Sequence, residues 1–141
     1  MLDMKKMLLL TLVSLFVFSF GSVAMAQDKV GYVDPQKILI SHPKYEAAQK
    51  QLDQFAKKKA DATKIAVDKE KDPKKKSEIY EKARRESGQE EMRLMNPIMT
   101  EINNAITKAA KAKGVTVVLN KVLVFFGGVD LTDDVLKIIK K

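Results

Sequence analysis

The sequence of 141 residues contains no cysteine and no tryptophan, and it has a single histidine, His42. Without cysteine the chain has no disulfide framework, no thiolate nucleophile and no cysteine-ligated metal. One imidazole cannot form a histidine cluster, and it would be the only one available to a Ser/His/Asp triad. Lysine and arginine number 26 against 18 aspartates and glutamates, which gives a formal charge of +8. These features disfavour most enzymes, although carboxylate or lysine chemistry stays open.

Long hydrophobic runs are also scarce, and the main one lies at the N-terminus. Two lysines precede an apolar stretch over residues 7–20, and an A-x-A triplet ends at Ala26. This order is typical of a secretory signal peptide over residues 1–26 that is cleaved after Ala26. The apolar stretch is shorter than the ~20 residues of a membrane span; an uncleaved anchor is the alternative. We therefore expect a secreted chain, which in a Gram-negative cell is periplasmic and works without ATP.

Proline is rare, with 4 in the chain, and two of the four follow aspartate. Aspartate suits a helix N-cap, and proline suits the first helical position because its missing N–H has no partner there. Residues 30–33 predict a short strand, and Asp34-Pro35 then predicts a short helix over 36–40. Asp72-Pro73 predicts the start of a long helix that runs toward Gly114, a residue suited to the left-handed C-terminal position.

Between residues 44 and 96 about half of the side chains are charged, and apolar positions recur with the period of a coiled coil. In the first helix these positions are Tyr45, Ala48, Leu52, Phe55, Ala62 and Ala66. Lys59 stands at the one position of this repeat where an apolar residue is missing. In the second they are Ile79, Ala83, Met95, Ile98, Ile102, Ala105, Ala109 and Ala112. Only residues 69–72 separate the helices. The pattern predicts an antiparallel hairpin over 44–113, with its tip near 69–76 and a length of roughly 40 Å.

Beyond Gly114, β-branched and aromatic residues predict strands over 115–119 and 122–126 with a two-residue turn between them. Thr132 is expected to cap a final helix. The strands are apolar on both faces, and so small a body needs further copies to complete its core. The expected fold class is α+β: a long helical hairpin on a small β body, residues 27–43 and 114–141, that assembles into an oligomeric hub. Oligomerisation is assigned to Val117, Leu119, Val122, Val124 and Phe126.

The apolar seam of the hairpin is incomplete, which distinguishes it from a rigid rod. Polar residues and Gly88 stand opposite Leu52 and Phe55. Pro97 removes a helical hydrogen bond, so we predict a hinge there; the alternative is that Pro97 only fits the arm to the body. Methionine adapts to irregular surfaces, although a stripe at helical spacing is also ordinary core. The candidate residues for binding another polypeptide chain are Phe55, Met92, Met95 and Met99.

The predicted tip is basic, with five lysines between residues 69 and 76. Such a run is usually a solvated end, and the functional alternative is attraction to acidic clients or anionic lipid headgroups. Two adjacent arginines could bind a phosphate or carboxylate, or form local helix salt bridges. The candidate basic contacts are Lys74, Lys75, Lys76, Arg84 and Arg85.

Several segments together resemble a known family. These are the signal peptide, Val30 to Asp34, the charged hairpin, Lys113 to Leu119, and Val129 to Leu136. They are similar to the Skp (OmpH-like) periplasmic chaperones over the whole mature chain, although this arm is shorter than in the longest members. The resemblance implies a jellyfish-shaped homotrimer with a barrel-like hub and three arms around a cavity. It also implies an ATP-independent holdase for unfolded outer-membrane proteins, without a cofactor. A lipopolysaccharide site on basic arm residues would have Arg84 and Arg85 as its nearest equivalents.

Three other functions compete with this one. A pI near 9.6 suits a nucleic-acid-binding protein, but the export signal argues against it and no specific nucleic-acid partner is expected. A structural coiled-coil envelope protein would have a rigid arm, against which Pro97 counts. A carboxylate enzyme would use Asp130, Asp133 and Asp134, which helix capping explains more simply. His42 precedes Pro43, where we predict an interruption between the short helix and the hairpin, and we assign it no role.

Overall fold

The computed structural model describes residues 28–140. The predicted signal peptide and its cleavage site after Ala26 lie outside the described residues. The elements are, in order, β1 (Val30–Val33), α1 (Pro35–Ile40), α2 (Tyr45–Lys69), α3 (Pro73–Lys113), β2 (Val117–Asn120), a short 3-10 helix (Lys121–Leu123), β3 (Val129–Asp130) and α4 (Thr132–Ile139). Long helices with a small sheet confirm the expected α+β class.

Both aspartate–proline pairs start helices, as predicted. The Asp34 carboxylate accepts a hydrogen bond from the Lys37 N–H at 3.0 Å, and the Asp72 carboxylate accepts one from the Lys74 N–H at 2.8 Å. Helix α3 ends at Gly114, whose φ of 63° lies in the left-handed region that glycine adopts without a Cβ penalty. Local capping therefore fixes where the long helices begin and end.

Helices α2 and α3 pack against each other as an antiparallel hairpin joined by a tight turn. The packed face of α2 follows the predicted positions as far as Lys59. Beyond it the half-buried residues are Thr63 and Val67, and the predicted Ala62 and Ala66 are exposed. The prediction assumes a repeat of 3.5 residues, whereas a straight α-helix repeats every 3.6 residues. The predicted positions therefore rotate away from the partner helix along two heptads. The prediction for the distal half of this seam is therefore wrong.

The sheet has three parallel strands with β1 in the centre. Val30 pairs with Val117 on one side, and Tyr32 lies between Leu119 and Asp130. Strands from the two ends of the chain thus form one sheet, and the whole helical hairpin is inserted between β1 and β2. This topology closes the base of the arm onto the body.

The predicted strand over residues 122–126 is wrong, and so is the predicted turn before it. Asn120 ends β2, and its side-chain oxygen accepts a hydrogen bond from the Val122 N–H at 3.2 Å. This local bond turns the chain into a 3-10 helix instead of a hairpin. Val122, Val124 and Phe126, which were assigned to a strand, consequently lie outside the sheet.

Thr132 does not cap the last helix. Helix α4 begins at Thr132, and no side chain caps its start at Leu131. The Thr132 hydroxyl instead accepts a hydrogen bond from the Asp34 N–H at 3.0 Å, while the Thr132 N–H donates to the Asp130 carboxylate at 2.9 Å. Burial of that carboxylate acts to raise its pKa, but hydrogen bonds from Thr132 outweigh it and the pKa lies below its usual range. Thr132 therefore ties α4 to the start of α1.

One apolar cluster joins the sheet, α1, α4 and the C-terminal part of α3. Its large, fully buried side chains are Ile38, Ile98, Leu131 and Val135. Because Ile98 belongs to α3, a single helix runs from the core of the body to the tip of the arm. None of the helices within residues 28–140 is both long and apolar enough to cross a membrane.

Candidate functional site

The middle of the arm is held by an ion pair where the seam lacks an apolar residue. The Lys59 ammonium on α2 pairs with the Glu86 carboxylate on α3, and both side chains are about one-third exposed. The same ammonium lies 5.5 Å from the centroid of the Phe55 ring, within the range of a cation–π contact. The hydrogen bond from Lys59 lowers the pKa of Glu86. Phe55 is half-buried and its ring already contacts Lys59 within the arm, so only part of this side chain is open to a partner.

Small side chains leave an open groove of about 390 Å³ between the helices in the distal arm. Its apolar lining comes from Ala56, Ala60, Val67, Tyr80 and Ala83. Three cationic side chains, Lys59, Lys64 and Arg84, line the same groove. Arg84 and Arg85 are both exposed, but only Arg84 lines the groove. The structure thus separates two residues that the sequence placed in one candidate site.

The three candidate methionines do not form one continuous stripe. Met92 and Met99 are 55% and 42% exposed, and a spacing of seven places them on the same side of α3. Met95 is half-buried and packs against the core cluster. Met92 and Pro97 line a concave surface of about 680 Å³, and α3 continues through Pro97 as a helix. Two of the three methionines are therefore open to a partner.

The tip of the arm presents its cations to solvent. Of the three consecutive lysines that follow Pro73, Lys74 and Lys75 are exposed and Lys76 is half-buried. The Glu70 carboxylate accepts hydrogen bonds from the Lys71 and Asp72 N–H groups of the turn, which lowers its pKa. This carboxylate remains charged but is engaged with the backbone. The tip lysines stay available for an anionic partner.

The root of the arm contains a polar cluster that the sequence did not indicate. His42 is only 3% exposed. Its Nδ1 accepts a hydrogen bond from the Lys44 N–H at 3.2 Å, and its Nε2 lies 3.2 Å from Oε2 of Glu101 on α3. The Lys44 ammonium pairs with the other oxygen of the same carboxylate. This ammonium is the main cause of a lowered pKa at Glu101, and His42 adds to it.

The segment after β2 exposes large apolar side chains on the body. Phe125 and Phe126 are fully exposed, and Val122 is 80% exposed. Of the candidate oligomerisation residues, those at 117, 122 and 126 are exposed and those at 119 and 124 are half-buried. Sequence reasoning missed Leu123 and Phe125, which are also exposed, because it assigned residues 122–126 to a strand and chose only the alternate positions 122, 124 and 126. Contiguous exposed apolar surface of this kind marks an interaction site.

The described residues thus form a long two-helix arm on a small α+β body, with open apolar surface on both parts. Among residues 28–140, no three acidic or histidine side chains are grouped as a metal site. Residues 62–139 match the family described as outer membrane protein (OmpH-like), and the chain belongs to this OmpH family. The resemblance drawn from the sequence is therefore confirmed.

The OmpH-like family consists of periplasmic chaperones that bind outer-membrane proteins, and it is not an enzyme family. The matched region covers the distal part of α2, all of α3 and the C-terminal half of the body. A search of curated proteins finds no match for the chain.

Proposed function

We propose that this chain is an ATP-independent holdase that keeps unfolded outer-membrane proteins from aggregating in the periplasm. One observation carries the proposal: the highly charged arm leaves Met92 and Met99 open to solvent beside Pro97, and it exposes Ile65 and Tyr80 nearer its tip. Unbranched methionines adapt to many apolar partners. Phe55 and Met95 add their exposed parts to the same contacts. Such contacts are weak and distributed, which suits a client without a fixed structure.

The charge of the arm supports the same function. The chain has a formal charge of +8, and exposed lysines cluster at the arm tip. Acidic clients are drawn to such a surface, which raises the rate of encounter, and salt screens the attraction. Charge therefore brings the client to the arm, and the methionines hold it there.

The proposal includes a homotrimer whose hub is formed by the β bodies. Within the described residues β2 has one neighbour, β1, so its outer edge can pair with another chain. The segment that follows β2 exposes the side chains of Val122, Leu123, Phe125 and Phe126. Burying one phenylalanine contributes about 1.5–3 kcal/mol, and an interface with a second copy buries several. A hub of this kind directs three arms around one cavity.

The central test is suppression of aggregation. An acidic outer-membrane β-barrel unfolded in urea is diluted into buffer without nucleotide, and light scattering is followed with and without the chain lacking residues 1–26. We expect the chain to suppress scattering at a several-fold excess of trimer and to lose part of this effect in high salt. Unchanged scattering at that excess contradicts the holdase function.

A second test assigns the holding contact to the methionines. We expect the double variant Met92→Gln and Met99→Gln to hold clients several-fold less well, because both side chains lose apolar surface that is exposed in the free chain. Met92→Leu with Met99→Leu is the matched control, since leucine keeps the apolar area. Equal loss in both double variants, or in neither, removes the methionines from the proposal.

A third test separates the arm from the hub. Because Lys59 faces Glu86, residues 53 and 91 face each other across the hairpin. Deleting residues 53–91 and closing the gap with a short glycine–serine turn removes matched lengths of both helices. We expect this variant to remain trimeric by analytical ultracentrifugation and to hold clients far less well, because Phe55 and the basic tip are removed although Met92 and Met99 remain. A monomeric deletion variant would place part of the interface in the arm.

We propose a second partner, an anionic lipid surface or lipopolysaccharide, for the basic part of the arm. The observations that favour it are the lysines at the tip, of which Lys74 and Lys75 are exposed, and the neighbouring apolar groove, which Lys64, Arg84 and one carboxylate, Asp68, also line. Replacing the three lysines 74–76 by glutamine should weaken cosedimentation with phosphatidylglycerol vesicles and leave phosphatidylcholine vesicles unbound. The variant with Lys108, Lys111 and Lys137 replaced by glutamine removes the same charge elsewhere and is the control. Equal weakening in both variants indicates net charge alone.

A further inference from the structure

We propose that His42 is a positioning residue that fixes the direction of the arm relative to the body. Helix α2 begins after Lys44, and no side chain of that residue caps its start. The imidazole of His42 takes over this function, because its Nδ1 accepts the Lys44 N–H at 3.2 Å. The ring is buried within the body side of this junction, with a side chain that is 1% exposed. A buried ring thus holds the first backbone N–H of the arm.

The second ring nitrogen connects the same junction to α3. A neutral imidazole has one donor and one acceptor nitrogen. Since Nδ1 accepts from Lys44, the proton of the neutral ring lies on Nε2, which faces Oε2 of Glu101 at 3.2 Å. Nε2 has no regular hydrogen bond within the described residues, so its link to Glu101 is a close contact with the carboxylate at 3.2 Å. One side chain therefore links the start of α2 to the side of α3.

The position of this link along α3 explains its effect. Ile98 and Ile102 are buried in the core and flank Glu101 along α3, Ile98 on the tip side and Ile102 on the body side. Pro97 lies one turn before Glu101 and lacks the N–H that would bond to the preceding turn. The His42 link thus joins α2 to the part of α3 that the core holds, one turn from Pro97. A rotation of about 10° at this point moves the tip of an arm about 37 Å long by roughly 6 Å.

The composition of the chain makes the test specific. The protein has no cysteine, so Lys71→Cys at the tip and Lys137→Cys on α4 give a unique pair for spin labels. The labelled chain is assembled with a large excess of unlabelled chain, so that distances within one protomer are measured. We expect His42→Asn, which loses the group facing Glu101, to shift or broaden the tip-to-body distance by several ångström. Lys59→Met, which breaks the ion pair within the arm, should leave the centre of the distribution unchanged.

Two further measurements keep the inference falsifiable if His42→Asn does not fold. Glu101→Gln alters a half-exposed carboxylate and should broaden the same distance while the protein stays folded. The nitrogen-15 spectrum of the single imidazole should show Nδ1 without a proton in the wild type, because Nδ1 accepts the Lys44 N–H. A folded His42→Asn or Glu101→Gln protein with the wild-type distance distribution overturns the inference, and so does a ring protonated on Nδ1. No client enters these measurements, so their outcome is independent of the holdase proposal.

Discussion

Replacing Gly88 by alanine is expected to stabilise the arm. Gly88 lies inside α3, and a Cβ at this position meets no heavy atom within 4 Å. Glycine inside a helix is less stable than alanine by about 0.5–1 kcal/mol, because the unfolded chain gives up more backbone freedom on folding. No neighbouring atom has to move to make room for the methyl group. The free energy of unfolding of the variant should therefore rise by about 0.5–1 kcal/mol.

The gain is measurable in urea. With a slope of about 1.5 kcal/mol per molar urea, a gain of about 0.7 kcal/mol raises the midpoint by roughly 0.5 M. All variants are compared at one chain concentration, because the midpoint of an assembling protein depends on it. Gly114→Ala is the matched control: its φ of 63° costs an L-residue about 1–2 kcal/mol, so its midpoint should fall.

A Gly88→Ala midpoint at or below that of the wild type, together with the expected fall for Gly114→Ala, refutes the reasoning. It would mean that the space beside Gly88 is filled in the assembled protein, or that α3 bends there. Amide hydrogen exchange of the wild type around residue 88 distinguishes the two, because a bent helix with weakened hydrogen bonds exchanges faster at these positions.

Three further outcomes are expected. Gly31→Ala should lower the free energy of unfolding by about 1–3 kcal/mol, because its Cβ would lie 3.0 Å from two core side chains; an unchanged urea midpoint contradicts this. Ile98→Ala should cost about 2–5 kcal/mol at a fully buried site, whereas exposed Ile65→Ala should cost less than about 0.5 kcal/mol. The hydrogen bond from Lys44 lowers the pKa of Glu101. The stability that Glu101 contributes is therefore complete above the usual pKa of 4.5 and is lost as the pH falls through the lowered value. Thermal unfolding against pH should show the gap between wild type and Glu101→Gln closing in acid.

The two ends of α3 could be predicted from the sequence because they depend on contacts a few residues long. Asp72 and Pro73 start α3, and Gly114 ends it, through backbone preferences that act within one helical turn. The sheet depends on partners from the two ends of the chain, and an apolar run such as residues 122–126 has the same composition whether it pairs in a strand or stays open on the surface. Propensity alone does not decide between these outcomes.

The candidate site divides in the same way. Helical spacing placed Met92 and Met99 on one side of α3, where both are exposed. It could not show that Met95 turns toward the core, since that depends on how α2 crosses α3. His42 had no predicted role because its partner, Glu101, belongs to a different helix, and Lys44 meets that carboxylate across 57 positions of sequence.

The central strand of the sheet is synthesised first, but both of its neighbours are synthesised last. Val30 pairs with Val117 and Gly31 pairs with Val129, so neither pair can form until the C-terminal residues have been synthesised. The helical hairpin needs only contacts within its own length, and local contacts form faster than distant ones. The arm is therefore expected to fold before the sheet of the body. A polypeptide that ends before residue 117 would contain the arm but leave β1 without either neighbouring strand. Such a chain exposes unpaired strand edges and is not a smaller working protein.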